Sequence, residues 1–289
     1  MIIDAHAHLW KEQKGLVNGL AVYHTRNGKS MFNKEELQML PPYMNDGENT
    51  VERFLANMDY ARVNACVITQ EYIDGNQDAY LLEAKEKYPN RMKICSLYEE
   101  DDNYRVHGFD GIKICAGRLS IPLSETLPVF KKAEKQGMFI SIDLFEGAKQ
   151  VKELEYIVKE CPNVKIAIGH FGMPTFDGFE KQIGLATYPN VYIESGGITW
   201  LFHKEFYPYP SAIKAIRTAI DICGIEKLMW GSDYPRTMTA ITYKMSYDFI
   251  VNSNELTDYE KERFLFKNAY DFYDFSNMVE MPYIKNMVE

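Results

Sequence analysis

Short apolar runs recur along this chain, separated mostly by stretches whose apolar residues have helical spacing, the pattern of repeated strand–helix units that build a parallel sheet. Eight runs read as strands: Ile2–His8, Ala65–Gln70, Met92–Leu97, Gly111–Cys115, Met138–Phe145, Val164–His170, Val191–Ser195 and Lys227–Asp233. Between them Leu123–Gln136, Ala148–Glu160 and Ser211–Cys223 carry helical periodicity, with Gly or Pro near many boundaries. Eight strands in this alternation predict a (β/α)8 barrel of the TIM type, an α/β fold. The chain's 289 residues suit one such barrel, so a single domain over 1–289 is expected.

Two regions exceed a minimal barrel. Residues 11–49 form a long connection rich in Gly, Asn, Tyr and Met, longer than loops that join neighbouring elements. A lid is expected there, with a loop that plugs one barrel end as the alternative. Past strand eight, the helical stretches Ile241–Asn252 and Asp258–Phe275 are predicted to wrap the outside. The aromatic tail with Tyr270, Phe272, Tyr273, Phe275 and Tyr283 suits burial against a second subunit or against its own barrel. A homo-oligomer is therefore one expectation.

Composition narrows the function classes. Hydrophobic residues make up 46% and charged residues 25%, values of a globular chain with a large core. The formal charge of −9 has no basic cluster to offset it, which opposes a phosphate backbone, so nucleic-acid binding is not expected. Five cysteines, odd in number and without C-x-x-C pairing, argue against both a disulfide framework and a cysteine zinc site. No charged-then-apolar leader precedes the first strand and no apolar run nears the roughly 20 residues of a membrane helix, so a cytoplasmic location without membrane contact is expected.

The candidate chemistry lies at strand ends. His6 and His8 alternate with Ala7 in the first strand, so they share a face and lie roughly 6–7 Å apart along it, within reach of one ion. A histidine pair in an extended segment is also compatible with plain packing. Barrel enzymes carry their sites at the carboxyl ends of the strands. There strand five reaches Asp143, strand six stops at His170 and strand eight stops at Asp233. A capped or hydrogen-bonded polar residue explains any one of these, but four strand ends bearing His or Asp favour a common site.

The motifs Asp-Ala-His-Ala-His at the start, Tyr-Pro-Asn-Arg before strand three, Gly-Ile-Lys-Ile on strand four, Ile-Gly-His-Phe-Gly on strand six, Trp-Gly-Ser-Asp-Tyr-Pro on strand eight and Lys-Asn-Ala-Tyr-Asp-Phe near the end resemble one family over nearly the whole chain. It is the amidohydrolase superfamily of metal-dependent hydrolases, in the branch called amidohydrolase 2. Relatives there include aminocarboxymuconate semialdehyde decarboxylase, resorcylate decarboxylases and dicarboxylate lactonases. The resemblance implies that His6 and His8 are metal ligands, that Asp233 is a ligand that also moves protons, and that His170 polarises substrate or acts as acid and base. Strand five departs from the pattern: relatives usually end it in histidine, whereas Phe139–Asp143 ends in a carboxylate. Asp143 can bind Zn²⁺ at about 2.0–2.2 Å, and ligation is expected. A salt bridge to Lys113 on the neighbouring strand is the alternative. The implied cofactor is one divalent ion, Zn²⁺ first, with Mn²⁺ made more plausible by two oxygen ligands.

Further residues suggest contacts to a small-molecule substrate. Arg236 offers a planar fork for a carboxylate, although pairing with an acid at a helix start is its ordinary fate. Trp10 walls the pocket or staples the lid; Tyr23, His24 and His203 reach the site or stay solvated. Glu71 and Glu99 end strands two and three, where they orient the histidines or stand exposed. The function expected is a metal-dependent hydrolase acting on a lactone, amide or related carbonyl compound. A decarboxylase of unsaturated or aromatic acids on the same scaffold and a non-catalytic binding protein are the alternatives.

Overall fold

The computed structural model describes residues 1–100 and 104–287, so the final two residues of the expected tail, 288 and 289, lie outside the described residues. In chain order the strands are β1 (Ile3–Ala7), β2 (Gly15–Val17), β3 (Leu20–Arg26), β4 (Lys29–Phe32), β5 (Glu35–Gln38), β6 (Ala65–Ile68), β7 (Met92–Leu97), β8 (Gly111–Cys115), β9 (Phe139–Asp143), β10 (Ile166–Ile168), β11 (Val191–Glu194) and β12 (Leu228–Met229). Eight of them pair in parallel in the order β1-β6-β7-β8-β9-β10-β11-β12. The ring is drawn together by backbone bonds from Ala5 N–H to Trp230 O (2.9 Å) and from Asp233 N–H to His6 O (2.8 Å). This is the expected (β/α)8 barrel, with strands shorter at their ends than the apolar runs suggested.

Alternation along the strands sorts the core into layers. Ile112, Ile114, Ile140, Ile142, Ile166 and Ile168 face the surrounding helices. Ile3, Ala65, Val67, Cys95, Phe139, Ala167 and Met229 form the inner floor. The register of β1 against β6 shifts between Asp4 and Ala7, the local device by which a strand re-aims its side chains. Ile3 and Ala5 thus belong to the floor, while His6 and His8 turn toward the carboxyl-end mouth. Asp4, fully buried, ties β1 to the segment after β12: its carboxylate accepts from Ser232 N–H (2.8 Å), Ser232 O–H (2.5 Å) and Tyr243 O–H (2.8 Å).

Three expectations are corrected. The connection over residues 11–49, expected as a lid loop, carries its own sheet: β2-β3-β4-β5 form an antiparallel meander within it. The stretch from Asp258 does not stay outside the barrel, because its end carries Phe272, Tyr273 and Phe275 into the inner floor. It is also not one regular helix, since a π-helical turn at Arg263–Lys267 interrupts it. The other helices lie close to their predicted positions, at Leu127–Gln136, Val151–Glu160, Pro210–Cys223 and Met245–Val251. All five cysteines are free thiols. Among the described residues no helix is long and apolar enough to cross a membrane.

Candidate active site

The ends of β1, β9 and the turns after β10 and β12 bring His6, His8, Asp143, His170 and Asp233 to one mouth of the barrel. His6 Nε2 lies 3.1 Å from His8 Nε2. Asp233 Oδ1 lies 3.0 Å from His8 Nε2 and 3.8 Å from His6 Nε2. Both histidines and Asp233 are buried. Burial pushes His8 down to about 4, so its ring is neutral at physiological pH. Asp233 is held well below the usual carboxylate range: burial opposes its charge, but the hydrogen bond to His8 and the nearby His170 charge outweigh that cost. Its other oxygen, Oδ2, accepts the Trp200 indole N–H at 2.6 Å.

Two imidazole nitrogens and a carboxylate oxygen aimed at one point, with a proton-poor ring among them, fit a divalent cation. Facing ring nitrogens at 3.1 Å cannot both carry a proton, and a cation between them and Asp233 satisfies all three donors. His6, His8 and Asp233 place ligand atoms within 4.8 Å of one another and can hold it, and His6, Asp143 and His170 form a second group with the same spacing.

Asp143 faces the other way as well. Its Oδ2 is 2.5 Å from Lys113 Nζ and 3.5 Å from His170 Nε2. The ion pair with Lys113, rather than ligation alone, is thus what the structure shows at strand five. Lys113 is fully buried on β8, and a buried ammonium requires such a partner. Against the opposing effect of burial, the Lys113 and His170 charges hold Asp143 far down the carboxylate range. In return, and again against burial, Asp143 lifts His170 to about 10. His170 Nδ1 bonds Gly196 O at 2.9 Å, so both ring nitrogens have acceptors and the ring is cationic near neutrality. Glu71, Cys115 and Asp143 also place one ligand atom each within 4.8 Å of the others. The Lys113 ammonium already supplies the positive charge there. Burial, and then the Asp143 charge, pushes Glu71 up to about 7.

His170 and Asp233 share a backbone peculiarity: φ is +51° and +58° respectively. Non-glycine residues held in the left-handed region cost about 1–3 kcal/mol each and cluster at functional sites.

A cavity of about 380 Å³ opens over the cluster. His8, Asp143, His170 and Asp233 form its base, Trp200 and Arg236 line its side, and Phe32, Leu37 and Met39 of the meander line its upper wall. Arg236 Nη2 bonds both oxygens of the buried Asp74 at 2.8 Å, while its buried Nη1 has no hydrogen-bond partner. The other expected substrate contacts lie elsewhere. Trp10 is fully buried beneath the meander with Leu40 and Met44, its indole N–H bonded to Gly47 O at 2.8 Å. His24 packs on Gly47, and His203, exposed, bonds the Trp200 carbonyl. Tyr23 is exposed on the meander, and Glu99 is exposed and bonded to Asn76.

Sequence reasoning missed three neighbours of the site. Glu194 ends the apolar run of β11 as Asp143 ends that of β9, so the same signal marked it. Its carboxylate lies 2.6 Å from His6 Nδ1. Trp200 and Arg118, both facing the cavity from turns, carry no local signal that distinguishes them.

The fold has well-matched precedents among solved structures. A probable 2-pyrone-4,6-dicarboxylic acid hydrolase from Acinetobacter baumannii with citric acid bound superposes with a TM-score of 0.69 at 21% identity, covering 95% of this chain and 99% of that one. An amidohydrolase from Burkholderia multivorans with bound zinc matches with a TM-score of 0.69 at 14% identity, covering 96% and 100%. A 2,6-dihydroxybenzoate decarboxylase complexed with 2,6-dihydroxybenzoate matches with a TM-score of 0.59 at 13% identity, covering 78% and 89%. None of the curated proteins matches this chain. The model of the amidohydrolase family matches residues 3–275, nearly the whole chain, and the protein belongs to that family.

Proposed function

We propose that this protein is a metal-dependent hydrolase that uses an activated water on a lactone, amide or related carbonyl compound bearing a carboxylate. The observation that carries this reading is the convergence of His6 Nε2, His8 Nε2 and Asp233 Oδ1, with His8 and Asp233 at the base of a cavity. A divalent ion in that set, Zn²⁺ or Mn²⁺, supplies a nucleophilic water near neutral pH, because such ions lower a water's pKa from 15.7 toward about 7. Asp233, ionised and fixed by Trp200, takes the proton that the attacking water loses. His170, cationic and backed by Asp143, faces the same space and stabilises the negative oxygen that develops on the attacked carbonyl. The apolar wall from Phe32, Leu37 and Met39 limits entry of bulk water. Arg236 Nη1 and Arg118, which has no ion-pair partner among the described residues, offer charge to a substrate carboxylate.

A decarboxylase would use the same groups, with His170 protonating carbon. The hydrolase reading is favoured by shape, since the dicarboxylic acid hydrolase matches 95% of the chain and the dihydroxybenzoate decarboxylase 78%. Incubating Zn²⁺- or Mn²⁺-loaded protein with panels of carboxylated lactones and of hydroxylated benzoates separates the two. Ring opening with acid release and no carbon dioxide is expected; carbon dioxide without net addition of water overturns the proposal. Binding without turnover in every metal form indicates a non-catalytic protein. Within the hydrolase panel, Arg236→Lys keeps a charge against Asp74 but loses the fork. It is expected to raise KM for carboxylated substrates about tenfold while leaving kcat within a factor of about three.

A further inference from the structure

We propose that Glu194 is the positioning residue that makes His6 competent to ligate a cation, by fixing which ring nitrogen carries the proton. This rests on the metal reading above and concerns a residue that does not itself line the cavity. Glu194 ends β11 and is 1% exposed. Its two oxygens have separate duties. Oε2 accepts the Gly196 backbone N–H at 2.5 Å, and Oε1 stands 2.6 Å from His6 Nδ1. A bare Nδ1 at that distance would set two lone pairs against each other, so Nδ1 carries the proton and donates it to Glu194. The consequence appears across the ring: Nε2 is left with its lone pair toward His8 Nε2 and Asp233 Oδ1. A ring nitrogen with its lone pair aimed into the donor set is what a divalent ion requires, and a carboxylate behind the ring holds it in that orientation.

The backbone packs closely around this fully buried side chain. A Cβ on residue 196 would come 2.7 Å from His6 Nδ1, and one on residue 231 would come 2.7 Å from His6 Cβ. Glycine at 196 lets the backbone close on the imidazole, and glycine at 231 lets it close on the base of the same side chain. Two N–H donors facing two oxygens require a carboxylate in particular.

That requirement sets the test. In Glu194→Gln one carbonyl oxygen serves two N–H groups. If it keeps Gly196, the side-chain NH₂ meets His6 Nδ1 and drives the proton to Nε2, where it blocks ligation. Long-range ¹H–¹⁵N correlation on histidine-labelled, metal-free protein reads the tautomer directly. Native His6 is expected with its proton on Nδ1, and the variant with its proton on Nε2. Zn²⁺ affinity at pH 7, from competition with a chromophoric chelator, is expected to fall 10–100-fold in the variant. Finding the native proton on Nε2 overturns the proposal whether or not the variant folds. A variant with native circular dichroism and Zn²⁺ affinity within about threefold of native overturns it as well. A native protein that takes up neither Zn²⁺ nor Mn²⁺, yet shows the Nδ1 tautomer, overturns the metal reading and this extension of it together, and so is distinguishable from failure at Glu194 alone.

Discussion

Lys113 and Asp143 show how one residue change alters the electrostatics of a site. An ammonium and a carboxylate 2.5 Å apart, the first fully buried, stabilise each other only as a pair. Lys113→Met removes the nearer cation and leaves Asp143 with His170, 3.5 Å away, as its remaining partner; it is expected to cost about 3 kcal/mol in urea unfolding, whereas Lys113→Met/Asp143→Leu should recover much of that loss. The pair also determines a pH dependence. His170 is raised from 6.5 to about 10 in the fold. Its contribution to stability is therefore complete below pH 6.5 and is lost as pH rises through about 10. Asp143 is shifted downward, so its contribution is present above its ordinary value near 3.8 and disappears on acidification. Metal-free protein should lose stability between about pH 7 and pH 10, and His170→Gln should flatten that limb of the profile. A native profile that is level over this range would mean that His170 is not held as a cation. His6, His8, Asp143, His170 and Asp233 were legible because each is a polar residue ending an apolar run. Whether Asp143 faces a metal or Lys113 was not, because that depends on a distance between neighbouring strands.

At the scale of elements, the meander over β2–β5 is where local chemistry was present and passed over. Asn18-Gly19 and Asn27-Gly28 stand at its first two turns, with φ of +51°, +74°, +49° and +72°. Asn-Gly between apolar alternations is a strong hairpin signal, since type I′ turns need two left-handed residues. The surrounding Gly, Asn, Tyr and Met content instead suggested a lid loop. What the sequence could not supply was the destination of the sheet. That is set by Trp10, Leu40 and Met44 packing beneath it and by the apolar side chains it presents to the cavity. Gly28 joins the turn to this base: its carbonyl accepts Leu40 N–H at 2.8 Å, and a Cβ there would meet Pro41 O at 2.4 Å. Gly28→Ala therefore combines a strained φ with a backbone clash, and should destabilise the meander by more than about 1 kcal/mol. Tryptic cleavage at Arg26, Lys29 or Lys34 is expected to quicken several-fold to tenfold, since cleavage follows the open population. The thermal midpoint of the barrel should move little. Unchanged cleavage would show that the meander does not depend on this turn.

At the scale of the whole molecule, the two ends of the barrel are finished by different means. The carboxyl end is polar and open to the cavity. The opposite end would expose Ile3, Val67, Cys95, Phe139 and Met229 to water, and small residues there, Ala5, Ala65 and Ala167, leave volume to be filled. The chain's own aromatic tail fills it. Phe272 and Tyr273 lie 6.3 and 4.8 Å from the Phe139 ring, centroid to centroid. Asn268 anchors the approach by donating to Ile225 O and Leu228 O at 2.6 Å. The eight-strand repeat was readable from periodicity, but periodicity does not say whether an aromatic tail closes its own barrel or a neighbour's. Of the rings considered for a second subunit, Phe272, Tyr273 and Phe275 are spent on the floor, while Tyr283 is exposed. Phe272→Ala removes a ring that touches both the floor and its own tail, and is expected to cost about 3–5 kcal/mol. For a chain of this size that corresponds to a fall in Tm of roughly 6–15 °C. Because the floor and the histidine cluster occupy opposite ends of the barrel, the same variant should bind Zn²⁺ within about twofold of native. Calorimetry and chelator competition on one preparation measure both. A large fall in Tm with unchanged affinity would establish that stability and site chemistry reside at separate poles, whereas a parallel loss of affinity would show that the floor transmits its packing through the strands to His6 and Asp233.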